Sequence, residues 1–335
     1  MTLDPVVVTI IEALVKAIVI VIGLLTAYAY LTLMERIVVA KVQVRIGPNR
    51  VGPHGLLQPI ADAIKTIFKE DIVPAQADKL VYIIAPGLAV GMALMAWAVI
   101  PLNPPVTIAG YTINFQLTDV NIAVLYLLAI GSLGVYGIVL GGWSANNKYS
   151  LLGGLRSTAQ MVSYEVSLGL SLVGVIMISQ SLSLVDIVEK QGTIWNVVWQ
   201  PLGLIIYFVA ATAEVNRLPF DLPEAETELV AGYATEYGSL KFALLYMAEY
   251  INMVTVSAIA STMFLGGYQG PFGILPGFHW LFIKIMFFIF VLMWIRYTLP
   301  RFRYDQLMRF GWKVLLPLAV ANIFVTAVVL VLIGR

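Results

Sequence analysis

The chain has 335 residues, of which 60% are hydrophobic and only 12% charged, with a formal net charge of +1 and mean hydropathy +0.90. A soluble domain carries roughly 25% charged residues, so the composition excludes an ordinary globular protein and predicts an all-α integral membrane protein with lipid as its solvent. The near-zero net charge gives no footprint for nucleic acid, and the absence of cysteine excludes disulfides, thiolate metal sites and iron–sulfur clusters built from this chain. Two distant histidines, His54 and His279, offer poor material for a metal or haem site.

Met1 to Pro5 has no basic n-region, and no small-residue cleavage site follows, so the first apolar run is expected to stay in the mature protein. That run, Val6 to about Leu33, is long enough to span a ~30 Å hydrocarbon core. Glu12 and Lys16 lie one turn apart within it and predict a structural ion pair. Glu35 and Arg36 end the run, with Arg45 and Arg50 beyond. Arginines at such a place are by default interfacial anchors; they can also point into a cavity and pair with acids.

The connection over about 34–79 looks ordered. Gly47-Pro48-Asn49 and Gly52-Pro53 supply turn chemistry. After them Leu56, Leu57, Ile60, Ala61, Ile64, Ile67 and Phe68 recur at helical spacing, with Asp62, Lys65, Thr66 and Lys69 between. This predicts an amphipathic helix lying along the membrane interface. Seven more apolar segments follow, at about 80–101, 119–141, 159–180, 198–216, 241–265, 279–299 and 314–333, making about eight spans in one polytopic domain over 1–335. The halves share no internal repeat, which disfavours many secondary-transporter folds. Gly153-Gly154 is no phosphate loop, because no Lys-Ser/Thr follows.

Cations set the orientation. Arg36, Lys41, Arg45, Arg50, Lys65, Lys69 and Lys79 fall in the first connection, and Lys148 and Arg156 in the third. Arg217 and Lys241 fall in the fifth, with Arg296, Arg301, Arg303, Arg309 and Lys313 in the seventh. Sixteen of the 20 cations thus share one side, against Lys190 alone in the opposite connections. The odd connections are expected to face the cytoplasm and both termini the outer, periplasmic side.

The fifth connection, about 217–240, is unusually acidic. Glu214, Asp221, Glu224, Glu226, Glu228 and Glu236 fall within 25 residues, nearly a third of the chain's 19 acids. Asp221 and Glu224 fit an N-cap and capping box. Glu226 and Glu228 are not explained that way, and Glu224 and Glu228 repel at one-turn spacing. Either the acids form a solvated face or they form a funnel that shares protons. Glu165, Glu214 and Glu249 lie inside apolar segments, Glu165 roughly 9 Å and Glu249 roughly 12 Å in at 1.5 Å per residue. Such groups are costly and face a bundle interior or hydrated cavity. They either pass protons or pair with Arg as packing devices.

Several stretches together resemble one family. They are Glu35-Arg36, Arg45-Ile-Gly-Pro-Asn-Arg-Val-Gly-Pro53, Leu57-Gln-Pro-Ile-Ala-Asp62 with Lys69-Glu70-Asp71, and Asn146-Asn-Lys-Tyr-Ser-Leu-Leu-Gly-Gly-Leu-Arg156. Ala159-Gln-Met-Val-Ser-Tyr-Glu165 and the run from Ala213 through Glu226 to Thr235-Glu-Tyr237 complete the set. Nearly the whole chain resembles the H subunit of proton-pumping NADH:quinone oxidoreductase, respiratory complex I. The resemblance implies a membrane-arm subunit of a translocase that forms much of the quinone chamber. It also implies quinone as substrate, with FMN and iron–sulfur clusters held by peripheral-arm partners, and small and antiporter-like membrane subunits as neighbours. By position, Arg36 and Asp62 match quinone-chamber residues. Glu214, Glu224, Glu226, Glu228 and Glu249 match an acidic funnel, and Glu165 continues it into the membrane. Two departures stand out: Ile37, where many members have Lys, and Gly131-Ser132-Leu133, where some place a glutamate. The implied location is the bacterial cytoplasmic membrane, ahead of an organellar inner membrane. A ferredoxin-driven or hydrogenase-type pump, a stand-alone proton-coupled transporter and a plain membrane anchor are the competing functions.

Overall fold

Inside hydrocarbon, backbone N–H and C=O groups must be paired within the protein, which leaves helices as the natural spanning element for segments of this length. The computed structural model describes residues 5–108, 111–222 and 226–334, and it is built almost entirely of helices. In chain order these are α1 (Pro5–Val42), α2 (Gln58–Phe68), α3 (Lys79–Met95), α4 (Ala123–Ser144), α5 (Lys148–Ser179), α6 (Leu184–Lys190), α7 (Asn196–Trp199) and α8 (Pro201–Glu214). Then follow α9 (Glu226–Leu229), α10 (Ser239–Phe264), α11 (Phe278–Thr298), α12 (Tyr304–Phe310) and α13 (Leu316–Ile333). A π-helical turn, Gly311–Leu315, joins α12 to α13. A small antiparallel hairpin, β1 (Val106–Ile108) and β2 (Tyr111–Ile113), lies between α3 and α4.

Among the described residues, seven helical stretches are long and apolar enough to cross a membrane. The remaining expected span, about 198–216, forms the 14-residue helix α8. At 1.5 Å per residue it is roughly 21 Å long, with Pro201 at its first position, where the missing N–H is harmless. Helix α1 runs to Val42, well past the apolar limit near Leu33. Glu35, Arg36 and Lys41 therefore sit on continuous helix rather than in a loop. Its N-terminal half stands clear of the bundle, with Ile11, Leu14, Ile18 and Ile22 exposed and Lys16 Nζ 2.5 Å from Glu12 Oε1.

The packing is dominated by α3 on α4, α4 on α5, α5 on α8 and α13, and α10 on α3 and α11. Small residues permit close approach where lipid supplies no hydrophobic drive. A Cβ at Gly137 would lie 2.8 Å from Ala89 on α3, and one at Gly153 would lie 2.6 Å from the Tyr233 backbone nitrogen. Gly153 thus seats the end of the acidic connection on α5. That seat is completed by Tyr237, stacked on Tyr82 of α3 with ring centroids 4.2 Å apart. Helix α2 leaves Ile60, Ile64, Ile67 and Phe68 exposed, an apolar stripe that no described residue covers.

Candidate functional site

Consecutive residues on a helix point about 100° apart, so Glu35 and Arg36 serve different neighbours. Arg36 turns outward to α2, where its Nη1 donates to Asp62 Oδ2 at 2.5 Å. Gln58, one turn before Asp62, donates to Oδ1 at 3.0 Å. The two residues expected from the sequence to line one chamber are in direct contact.

Glu35 turns inward and is buried. One of its oxygens accepts from Arg217 at 2.8 Å and from the Tyr250 hydroxyl at 2.6 Å. The other accepts from Arg296 and, at 2.8 Å, from the Tyr297 hydroxyl. Arg217 also donates through Nε to Glu249 Oε1 at 2.6 Å and lies over the Tyr250 ring, 4.4 Å from its centroid. Two carboxylates and two guanidiniums from α1, α10, α11 and the segment after α8 thereby form one cluster. Two ions of each sign offset one another's desolvation in a way that isolated ions cannot. The chain reverses at Asn216, whose φ of 56° is of the left-handed type that Asn tolerates, and this turn aims Arg217 back into the bundle.

Beyond the cluster lie two internal cavities. One, of about 60 Å³, is lined by Glu249, Asn252, Glu214, Asn216 and Tyr233. The other, of about 50 Å³, is lined by Glu214, Asn252, Glu165, Tyr207 and Thr255. Each exceeds the ~30 Å³ a water occupies, and each offers the two to four polar partners a water needs. Glu214, at the C-terminal end of α8, borders both. Glu165, near the middle of α5, accepts a hydrogen bond from Ser132 on α4. Gly131 borders both cavities as well, and a Cβ there would lie 3.1 Å from Glu214 Oε1. The glycine makes room for the carboxylate.

Among the described residues, three acids of the fifth connection have separate partners. Glu228 pairs with Arg156 of α5 at 2.5 Å, on the exposed rim. Glu236 accepts from Asn147 at 2.6 Å. Asp221 meets Arg301 at 3.0 Å, and its other oxygen is buried without a partner among the described residues. That carboxylate is an ion-pair member; the residues it was expected to cap lie outside the described residues. Burial pushes Asp221 up to about 6, outweighing the pull of Arg301. Glu224 lies outside the described residues, as does the side chain of Glu226.

Sequence reasoning put Glu249 among the proton carriers, and the structure joins it to Arg217, so it is both an ion-pair member and a cavity wall. Four placements were not read from the sequence: Glu35 as the centre of the ion cluster, Arg296 as its second cation, Ser132 beside Glu165, and Asn252 between the cavities. Polarity within an apolar helix was a usable signal for Asn252. Among the described residues, no group of three or more His, Asp or Glu side chains is arranged to hold a metal ion.

Comparison with known proteins bears on what this arrangement belongs to. The family model described as NADH dehydrogenase matches residues 15–327. An H subunit of the NADH-quinone oxidoreductase of Geobacter sulfurreducens is 54% identical over 326 residues, covering 94% of this chain and 93% of that protein. The H subunit of the Thermomicrobium roseum NADH-quinone oxidoreductase is 55% identical over 316 residues, covering 91% and 92%. Its counterpart in Deinococcus deserti is 53% identical over 328 residues, covering 95% and 84%. On a match that spans most of each protein, the chain belongs to the NADH dehydrogenase family, alongside the H subunits of bacterial NADH-quinone oxidoreductases.

Proposed function

We propose that the chain is the quinone-site membrane subunit of a proton-translocating NADH:quinone oxidoreductase. The observation that carries this is the set of polar groups placed along one bundle: the Arg36–Asp62 pair, the Glu35–Arg217–Glu249 cluster, and the cavities at Glu214 and Glu165. Few of these groups would be tolerated in hydrocarbon without a task.

The chemistry at the membrane surface is the conversion of a quinone to a quinol, which takes two electrons and two protons. Partner subunits of the peripheral arm supply the electrons through flavin and iron–sulfur clusters. Arg36 and Asp62 line the quinone chamber, and the apolar stripe of α2 rests on the lipid interface beside it. Drawing protons toward the quinone changes the charge felt by Glu35 and Glu249, which share Arg217. Because the two acids share one cation, a change of charge at one end is felt at the other, and it passes on through the cavities to Glu214 and then to Glu165. Glu224, Glu226 and Glu228 gather protons at the cytoplasmic rim. In this orientation both termini face outward, across the bacterial cytoplasmic membrane, with small and antiporter-like membrane subunits as neighbours.

An affinity tag on this chain tests the assignment. Mild-detergent purification is expected to bring down flavin- and iron–sulfur-containing partners with NADH:quinone reductase activity. A chain that purifies alone, or that moves a solute with protons in liposomes by itself, contradicts it.

A further inference from the structure

The two cavities share four residues: Gly131, Glu214, Val215 and Asn252. Gly131 and Val215 bring no polar side chain, so Asn252 is the one neutral polar side chain at the junction. The neighbouring polar groups are already engaged. Thr255 accepts from Trp97 at 2.8 Å and donates to the Ile251 carbonyl. Tyr207 donates to the Val256 carbonyl, and Asn216 accepts from Gln160. Asn252 sits at the middle of the 26-residue helix α10, half-buried, with no side-chain partner among the described residues. An amide left unpaired at that depth is costly. It is stable there if water in the cavities meets its donors and acceptor.

Its place on the helix matters as much as its chemistry. Asn252 follows Glu249 by three residues, so the two share one face a turn apart. Both border the cavity nearer the ion cluster, and Asn252 alone of the two also borders the cavity that reaches Glu165.

We infer that Asn252 is a positioning residue that holds water at this junction and keeps Glu214 linked through water to Glu249 on one side and Glu165 on the other. The amide does not ionise. It donates through its NH₂ group to a water or carboxylate oxygen and accepts through Oδ1 from a water. In each proton hop one O–H bond forms as another breaks, and Asn252 emerges unchanged. The inference rests on the function proposed above, and the controls separate the two.

The test uses the assembled complex in proteoliposomes, reading quinone reduction and proton uptake together. Asn252→Leu, nearly equal in shape and unable to bind water, is expected to lower both at least 10-fold in a complex that assembles normally. Asn252→Ala opens space that additional water can fill, and it should retain at least a third of each. Ser257→Ala serves as control, since Ser257 donates to the Met253 carbonyl and borders neither cavity; it should be unaffected. A packing role gives the opposite order, because truncation to Ala then does more harm than Leu. Wild-type pumping in Asn252→Leu, or Ala worse than Leu, overturns the inference. If Asn252→Leu fails to assemble, Asn252→Val is judged by the same criteria. Loss of pumping in Glu214→Gln with normal Asn252→Leu removes the inference alone. Normal pumping in Glu214→Gln removes the coupling function on which it rests.

Discussion

Arg217→Met breaks the cluster at its centre. Arg217 is 3% exposed and donates to two acids through different nitrogens, Nη1 to Glu35 and Nε to Glu249. Removing one partner of a buried ion pair costs about 3–5 kcal/mol, because the other charge stays buried. The loss falls unevenly here. Glu35 keeps Arg296, Tyr250 and Tyr297, whereas Glu249 keeps no hydrogen-bond donor among the described residues. The low end of the range, about 3 kcal/mol, is therefore expected, which is roughly 100-fold in an equilibrium constant. Thermal inactivation of quinone reductase activity, with native-gel assembly alongside, measures it. Arg217→Lys should fall between, since a compact ammonium does not reproduce the fork that spans both acids. Adding Glu249→Gln to Arg217→Met should recover part of the loss, as coupled neighbours do in a double-mutant cycle. An Arg217→Met complex as stable as the wild type, or a double variant no better than the single one, would refute the ion-cluster account.

Other consequences are as direct. Asp221, raised to about 6 by burial, binds a proton more tightly when folded than when unfolded. Its contribution to stability is therefore full below its ordinary carboxylate range and is lost as pH rises to about 6; Asp221→Asn should flatten the inactivation profile between about pH 4 and 6, and an unchanged profile contradicts the shift. Lys284 is buried and donates to the carbonyls of Leu265, Gly267 and Gln269 at 2.6, 2.9 and 2.6 Å. Lys284→Met orphans three acceptors at about 1–3 kcal/mol each, so poor assembly is expected, and normal yield on a native gel would count against this role. Arg36→Ala should raise the apparent KM for a short-chain quinone severalfold while insertion stays normal; an unchanged KM in the assembled complex speaks against the chamber role.

Much of the helical scaffold was legible because lipid imposes one rule on every spanning backbone, and long apolar runs record it. The same rule explains where the sequence misleads. Hydropathy marks the lipid boundary, not the end of hydrogen bonding, so α1 runs on through Glu35, Arg36 and Lys41 to Val42. Helix α8 is shorter than the apolar run that contains it, because Gln200 and Pro201 start it late and the chain turns at Asn216. Intramembrane acids announced themselves by their cost in hydrocarbon, which is why Glu165, Glu214 and Glu249 were found. Their partners were not legible. Arg217 meets Glu35 across 182 positions, and Arg296 meets it across 261, distances that no local spacing reports. Glu228, Glu236 and Asp221 stand close together in the sequence, yet they find separate partners on different elements.

The central claim is that Glu165 exchanges protonation with the quinone end of the chain of acids. Glu165→Gln keeps the side chain's shape and its bond to Ser132 but removes the ability to ionise. The measurement is the rate of proton uptake alongside the rate of quinone reduction in proteoliposomes, on a complex whose flavin site still reduces an artificial acceptor at the wild-type rate. Quinone turnover and proton uptake are expected to fall together by at least 10-fold, with Glu165→Asp restoring part of each and Glu12→Gln changing neither. Full proton uptake by an assembled Glu165→Gln complex would contradict the account.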